Sequence, residues 1–165
     1  MAIETLISGR YSSVYSAVDT GIAEGGYEID QGGSAEVIDE SDAYGGSAID
    51  FIYRGGNVFC DFRSLAYKAG SIAPFWPWAA LGTLLTAAAP LGRRASDIAV
   101  SHVLSAVPNT PAQLTPATLT GPLAILAPNF SAKLLFNSKL RTVPVRLMYL
   151  PYDVGGGTIK WFVTT

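Results

Sequence analysis

Residues 44–67, YGGSAIDFIYRGGNVFCDFRSLAY, constrain this chain more than any other stretch. Two runs of β-favouring residues flank Gly55, Gly56 and Asn57, and paired glycines tolerate the positive φ of tight hairpin turns. The reading is a hairpin turning at Gly55, Gly56 and Asn57, with its strands inside residues 47–67. Ile49, Phe51 and Tyr53 fall on one face of the first run, with Asp50 and Ile52 on the other. In the second run Val58, Cys60 and Phe62 alternate with Phe59, Asp61 and Arg63. Both faces carry large apolar groups, so neither is suited to water alone. One face builds a core and the other calls for a second partner, which points to an assembling protein.

The rest of the chain carries the same period-2 pattern. Residues 5–18 read as a first strand ending at the turn Asp19-Thr20-Gly21, and a short strand at 27–30 lies between two glycine pairs. Residues 34–46 add a strand before a loop. Ile98, Val100, His102 and Leu104 alternate with small or polar residues, and their β-branching favours a strand over a helix. A proline- and threonine-rich connection follows, with a short strand at 118–120 and broken strands at 124–141. At the end, Val143, Val145, Leu147 and Tyr149 share a face, Gly155-Gly156-Gly157 turns the chain, and Ile159, Trp161 and Val163 return. About eight strands with turns every ten residues or so indicate one mainly β domain over residues 1–165, a sandwich or barrel with long loops and one short helix.

Charged residues make up only 15% of the chain, well below the roughly 25% of ordinary soluble domains. Few groups are left to cover an isolated surface, and disorder is not expected. A net charge of −2 gives no attraction to nucleic acid. The one cysteine, Cys60, forms no internal disulfide and reads as a small buried apolar group. The opening MAIETLISGRYSS lacks a basic start followed by an apolar run, so no secretory signal is expected. Residues 69–92 hold no charge and raise the question of a membrane span, but Pro74, Pro77 and Pro90 interrupt them. A short helix plus a long buried loop is the expectation there, with Phe75, Trp76 and Trp78 as anchors between subunits.

Catalysis requires convergent titratable groups, and none are legible. The single histidine, His102, lies in an apolar run and reads as a core or interface residue. No HExxH, CxxC, GxSxG or phosphate-binding loop is present, so no enzyme, metal or cofactor is expected. Glu36, Asp39, Glu40 and Asp42 lack the glycine and distal glutamate of a calcium loop and read as a solvated acidic loop. Charge is unevenly divided. Ten of the thirteen acids lie in residues 1–50 against one base, Arg10, while residues 51–165 hold three acids and ten bases, giving −9 and +7. Either the acidic strands lie beside basic ones within one subunit, or they meet a neighbour.

Three blocks carry a resemblance: SGRYSSVYSAVDTGIAEGGYEI, DAYGGSAIDFIYRGGNVFCDFRSLAY and LRTVPVRLMYLPYDVGGGTIKWFVTT. Together they resemble the major tail tube proteins of long-tailed bacteriophages, nearly end to end, with residues 70–115 least diagnostic. That resemblance implies a β-sandwich or barrel whose inner strands join neighbours in a hexameric ring. Rings stack head to tail into a tube through which DNA passes without specific binding, alongside other tail proteins. The implied location is the virion tail, with the host cytoplasm during assembly. On this reading the acidic loop of Glu36, Asp39, Glu40 and Asp42 faces either the lumen or the next ring, where Arg93, Arg94, Lys139 and Arg141 are the basic partners. A single-ring tail component, or a carbohydrate-binding sandwich using Trp76 and Trp78, stands as the alternative.

Overall fold

The computed structural model describes residues 11–21, 23–40, 48–65, 79–80, 86–87, 92–106, 118–128, 130 and 142–165. The side chains of residues 38–40, 48–49, 79–80 and 86–87 lie outside that description, as do residues 70–78, Asp42, Lys139 and Arg141 altogether. The expectations attached to Phe75, Trp76 and Trp78 therefore lie outside the described residues.

Among the described residues the fold is mainly β, with one short helix. β1 (Tyr11–Tyr15), β2 (Val18–Asp19), β3 (Ala23–Glu40) and β4 (Ala48–Ser64) come first, followed by the two-residue strands β5 (Ala79–Ala80) and β6 (Thr86–Ala87). The helix α1 (Ala95–Ile98) leads into β7 (Val100–Ala106). Then come β8 (Thr118–Leu126), β9 (Val143–Tyr149), β10 (Tyr152–Asp153), β11 (Ile159–Lys160) and β12 (Val163–Thr164). Eight of these strands form one antiparallel sheet in the order β2-β1-β7-β8-β9-β4-β3, with β12 alongside β8. β10 pairs with β11 and β5 with β6 in two small ribbons.

Local chemistry explains several boundaries. β1 and β2 are joined through Ser16 and Ala17, both at positive φ (53° and 62°), the geometry of the two-residue turn that matches strand twist. The chain reverses there, before the expected Asp19-Thr20-Gly21. That segment makes a second bend, in which the Gly21 N–H donates to Asp19 Oδ1 at 2.8 Å. Residues 98–104 divide: Ile98 ends α1, and the strand begins at Val100 with His102 and Leu104 buried, as their alternation indicates. In β9 the alternation of Val143, Val145, Leu147 and Tyr149 puts all four in the core. The three glycines Gly155, Gly156 and Gly157, all at positive φ, carry the turn between β10 and β11.

The sheet is strongly curled. His102 on β7 and Phe62 on β4 are three strand steps apart, about 14 Å in a flat sheet with roughly 4.8 Å between strands. Their rings stack with centroids 6.2 Å apart. Ser64 at the end of β4 donates its hydroxyl to the Thr20 carbonyl just past β2, at 2.8 Å, although five steps separate those strands. Tyr15, Val58, Cys60, Leu104, Leu119, Leu126 and the four β9 residues fill the space so enclosed. No backbone ladder joins β2 to β3 among the described residues, so the curl stops short of a closed barrel.

Gly55, Gly56 and Asn57 do not turn the chain. β4 runs straight through them, and they pair with Ser34, Gly33 and Gly32 of β3. Gly55 does take positive φ (98°), but it serves a bulge, with the register slipping between Ser34 and Ala35. The short strand expected at 27–30 is likewise part of the 18-residue β3. What joins β3 to β4 is residues 41–47, outside the described set.

Candidate assembly surface

β3 and β4 are long strands, and their neighbour is short. β9 supports β4 only from Ser64 to Val58, where Val58 faces Tyr149. Beyond that point residues 34–40 and 48–57 continue as an arm of two strands with no third strand beside them among the described residues. Period 2 carries the inward face of the body onto this arm. Tyr27/Phe62, Ile29/Cys60 and Gln31/Val58 are directly opposed pairs in the body, and the same row continues as Ala35/Tyr53 and Val37/Phe51. In the body the β4 side of that row is covered, with Val58 and Cys60 fully buried and Tyr27 and Ile29 of β3 half-buried. On the arm it is bare: Tyr53 is 84% exposed, Phe51 52% and Val37 45%. Ile52, opposite Glu36 on the other face, is also half exposed. The apolar groups that Phe51, Ile52 and Tyr53 place on both faces of the run therefore sit in the open.

Charge on the arm is partly satisfied within it. Glu36 pairs with Arg54, which sits at the bulge on the neighbouring strand. Asp39 and Glu40 lie at the outer end of β3, on the arm, and their side chains are outside the described residues. Lower down, on the outward face of the body, Arg146 of β9 lies 3.5 Å from Asp61 and 3.6 Å from Asp30. Its guanidinium also stacks 4.3 Å over the Phe59 ring. The Arg146 Nε makes no hydrogen bond, so its contact with Asp61 is an ion pair only. Burial pushes the Asp61 carboxyl above its ordinary pKa; Arg146 pulls it down, and Glu28 and Asp30 push it further up. Acidic strands thus lie partly beside their own bases: Glu36, Asp30 and Asp61 are all accounted for inside one subunit.

Of the basic candidates, Lys139 and Arg141 lie outside the described residues, which leaves Arg93 and Arg94. β4 runs away from the arm, and successive strands of the sheet alternate in direction through β9, β8 and β7. Val58, Tyr149, Ala124 and Val100 are paired in turn across these four strands, so β7 starts level with the base of the arm, three strand steps away across the sheet. α1 and the exposed Arg93 and Arg94 immediately precede it. Among the described residues the base paired with Glu36 is Arg54, which was not among the candidates.

A second cluster escapes sequence reasoning altogether. His102 is fully buried, with Nε2 2.8 Å from Ser13 Oγ on β1 and Nδ1 2.7 Å from the Tyr149 hydroxyl on β9. Tyr149 reaches Cys60 on β4 in turn, and its ring lies where a side chain at Gly121 would stand, 2.6 Å from the Cβ such a residue would carry. Burial lowers the His102 pKa to about 4 and raises that of Cys60 to about 12, while the Tyr149 phenol is pushed up by burial and by Cys60. His102 is therefore neutral, with one ring nitrogen donating and the other accepting. Ser13, a base and an orienting hydroxyl stand in line as in a nucleophile relay, yet Ser13, His102 and Tyr149 have no exposed surface. Their partners lie 89 and 47 residues away in sequence, so no local pattern announces them.

Among the described residues no group of histidine, cysteine and acidic side chains is arranged to hold a metal ion. No helix among them is long and apolar enough to cross a membrane. No protein-family model matches the chain, and no curated protein gives a significant match to it.

Proposed function

We propose that this chain is a virion structural subunit that polymerises as stacked rings of six copies into a tail tube, the conduit for DNA. The observation that carries the reading is the arm. Phe51, Tyr53 and Val37 continue a core face into solvent, where an isolated subunit leaves them uncovered. Exposed apolar patches that continue a core face mark association surfaces. The arm projects past the end of β9 on one side of the subunit, which suits a heterologous, head-to-tail contact that repeats without closing. β3 offers a long outer edge bearing Glu24, Glu28, Asp30, Glu36, Asp39 and Glu40 and no base. Two such edges repel each other, so pairing with a different edge of a neighbour is favoured, as a ring requires.

In this role the chain has no catalytic site and takes no cofactor, and the Ser13–His102–Tyr149 chain is a structural tie across the curl. A nucleophile buried on every side has no room for a substrate carbonyl or for the donors that would stabilise its oxyanion. Negative-stain microscopy of the purified protein tests the reading. Tubes of stacked rings are expected. Single rings that never stack would point to a ring-forming tail component, and monomers at high concentration would overturn assembly.

A further inference from the structure

The arm joins the body through a section almost free of side chains. Gly32 faces Asn57, Gly33 faces Gly56 and Ser34 faces Gly55, immediately beyond the last residue that β9 supports. Two of these four glycines are explained by the backbone around them. Gly55 has positive φ, and a Cβ on Gly56 would overlap the Gly32 carbonyl. Gly32 and Gly33 are not. Neither has positive φ, a Cβ on Gly33 meets nothing within 4 Å, and one on Gly32 meets only the Asn57 carbonyl at an ordinary 3.9 Å. Glycine inside a strand weakens it, through its backbone entropy and the side chain it does not pack. This arrangement of the arm gains nothing from them at these two positions.

We propose that the β3–β4 arm is jointed at Gly32, Gly33, Gly55 and Gly56, and that it moves as a unit between at least two positions relative to the body. A residue without Cβ reaches φ values closed to the others, so glycines that one position does not need serve another. A two-stranded ribbon with no side-chain packing across the joint bends there first, because the body below it has a third strand and the arm above it has cross-strand side-chain pairs. Across the joint the Ser34 hydroxyl bond to the Gly55 carbonyl, at 3.1 Å, is an exposed side-chain tie. The motion carries the apolar face of Phe51 and Tyr53 toward or away from the body, and it belongs to the subunit whether or not subunits assemble.

Pulsed electron-electron resonance on the full chain tests the joint. Nitroxides are placed at the exposed positions Asp50 (on the arm) and Ser101 (on the body) through Asp50→Cys and Ser101→Cys. Labelled chains are diluted into unlabelled ones, so that distances between subunits do not contribute. The native glycines should give a broad or two-component distance distribution. Gly32→Val with Gly33→Val should collapse it to one narrow component, and the milder Gly33→Ala should narrow it partly. A single narrow distribution with the native glycines overturns the joint. So does a broad one that the valines and the alanine leave unchanged.

Discussion

His102 concentrates the tension of the core. A neutral imidazole satisfied by Ser13 and Tyr149 is compatible with full burial, but an imidazolium is not, because no carboxylate is among its described contacts. Burial lowers the folded pKa to about 4 from the ordinary 6.5, so between these values the unfolded chain binds the proton and the folded chain refuses it. Stability is therefore full above about pH 6.5 and falls as pH drops toward 4, by at most roughly 3 kcal/mol at about 1.4 kcal/mol per pH unit. Urea midpoints read at pH 7, 5.5 and 4.5 should fall accordingly. In His102→Gln the fall over the same range should be clearly smaller, even though the variant starts from a lower midpoint. Equal acid sensitivity in both chains would remove His102 as its source.

At the scale of elements, Gly56 shows how a correct residue can carry a mistaken role. A glycine pair looks the same in a turn as in a strand where two backbones come close. The difference here lies in Gly32 and Gly33, far up the chain, and no local pattern reports that pairing. Gly56→Val should still destabilise the protein, but by driving a side chain into the Gly32 carbonyl, at a cost of order 1–3 kcal/mol as overpacking commonly does. Chemical denaturation measures the loss. An unchanged midpoint would mean that the close approach does not exist. What was legible was periodicity: β9 and the inward residues of β7 follow directly from alternation. The apolar groups of Phe51, Ile52 and Tyr53 on both faces of their run were legible too, but not their exposure, which depends on β9 being short. The Ser13–His102–Tyr149 tie was illegible because the curl of the whole sheet creates it.

At the scale of the molecule, an arm that projects past β9 gives assembly a direction. Within the arm Glu36 is paired with Arg54, so the inter-ring reading of the acidic loop rests on Asp39, Glu40 and Asp42, whose side chains lie outside the described residues. If Arg93 and Arg94 of a neighbour meet them, Arg93→Glu with Arg94→Glu should abolish stacking, and Glu40→Lys with Asp42→Lys in the same chain should restore it. Tube length should also fall as salt rises, since exposed pairs are screened beyond about 10 Å at 0.1 M. Tubes that ignore both salt and charge reversal would place those acids away from the inter-ring contact.

Apolar cover, more than charge, is what the arm lacks, and sedimentation velocity reads that directly. The protein is compared with Phe51→Ser, Tyr53→Ser at matched concentrations, with circular dichroism and the urea midpoint recorded on the same samples. Both residues are exposed, so the substitutions should leave the fold intact and the midpoint within about 0.5 kcal/mol, as for other surface changes. The unaltered chain should sediment as large assemblies and the double variant as free subunits or single rings. A folded double variant that assembles at the same concentration as the parent would contradict the arm as the assembly surface.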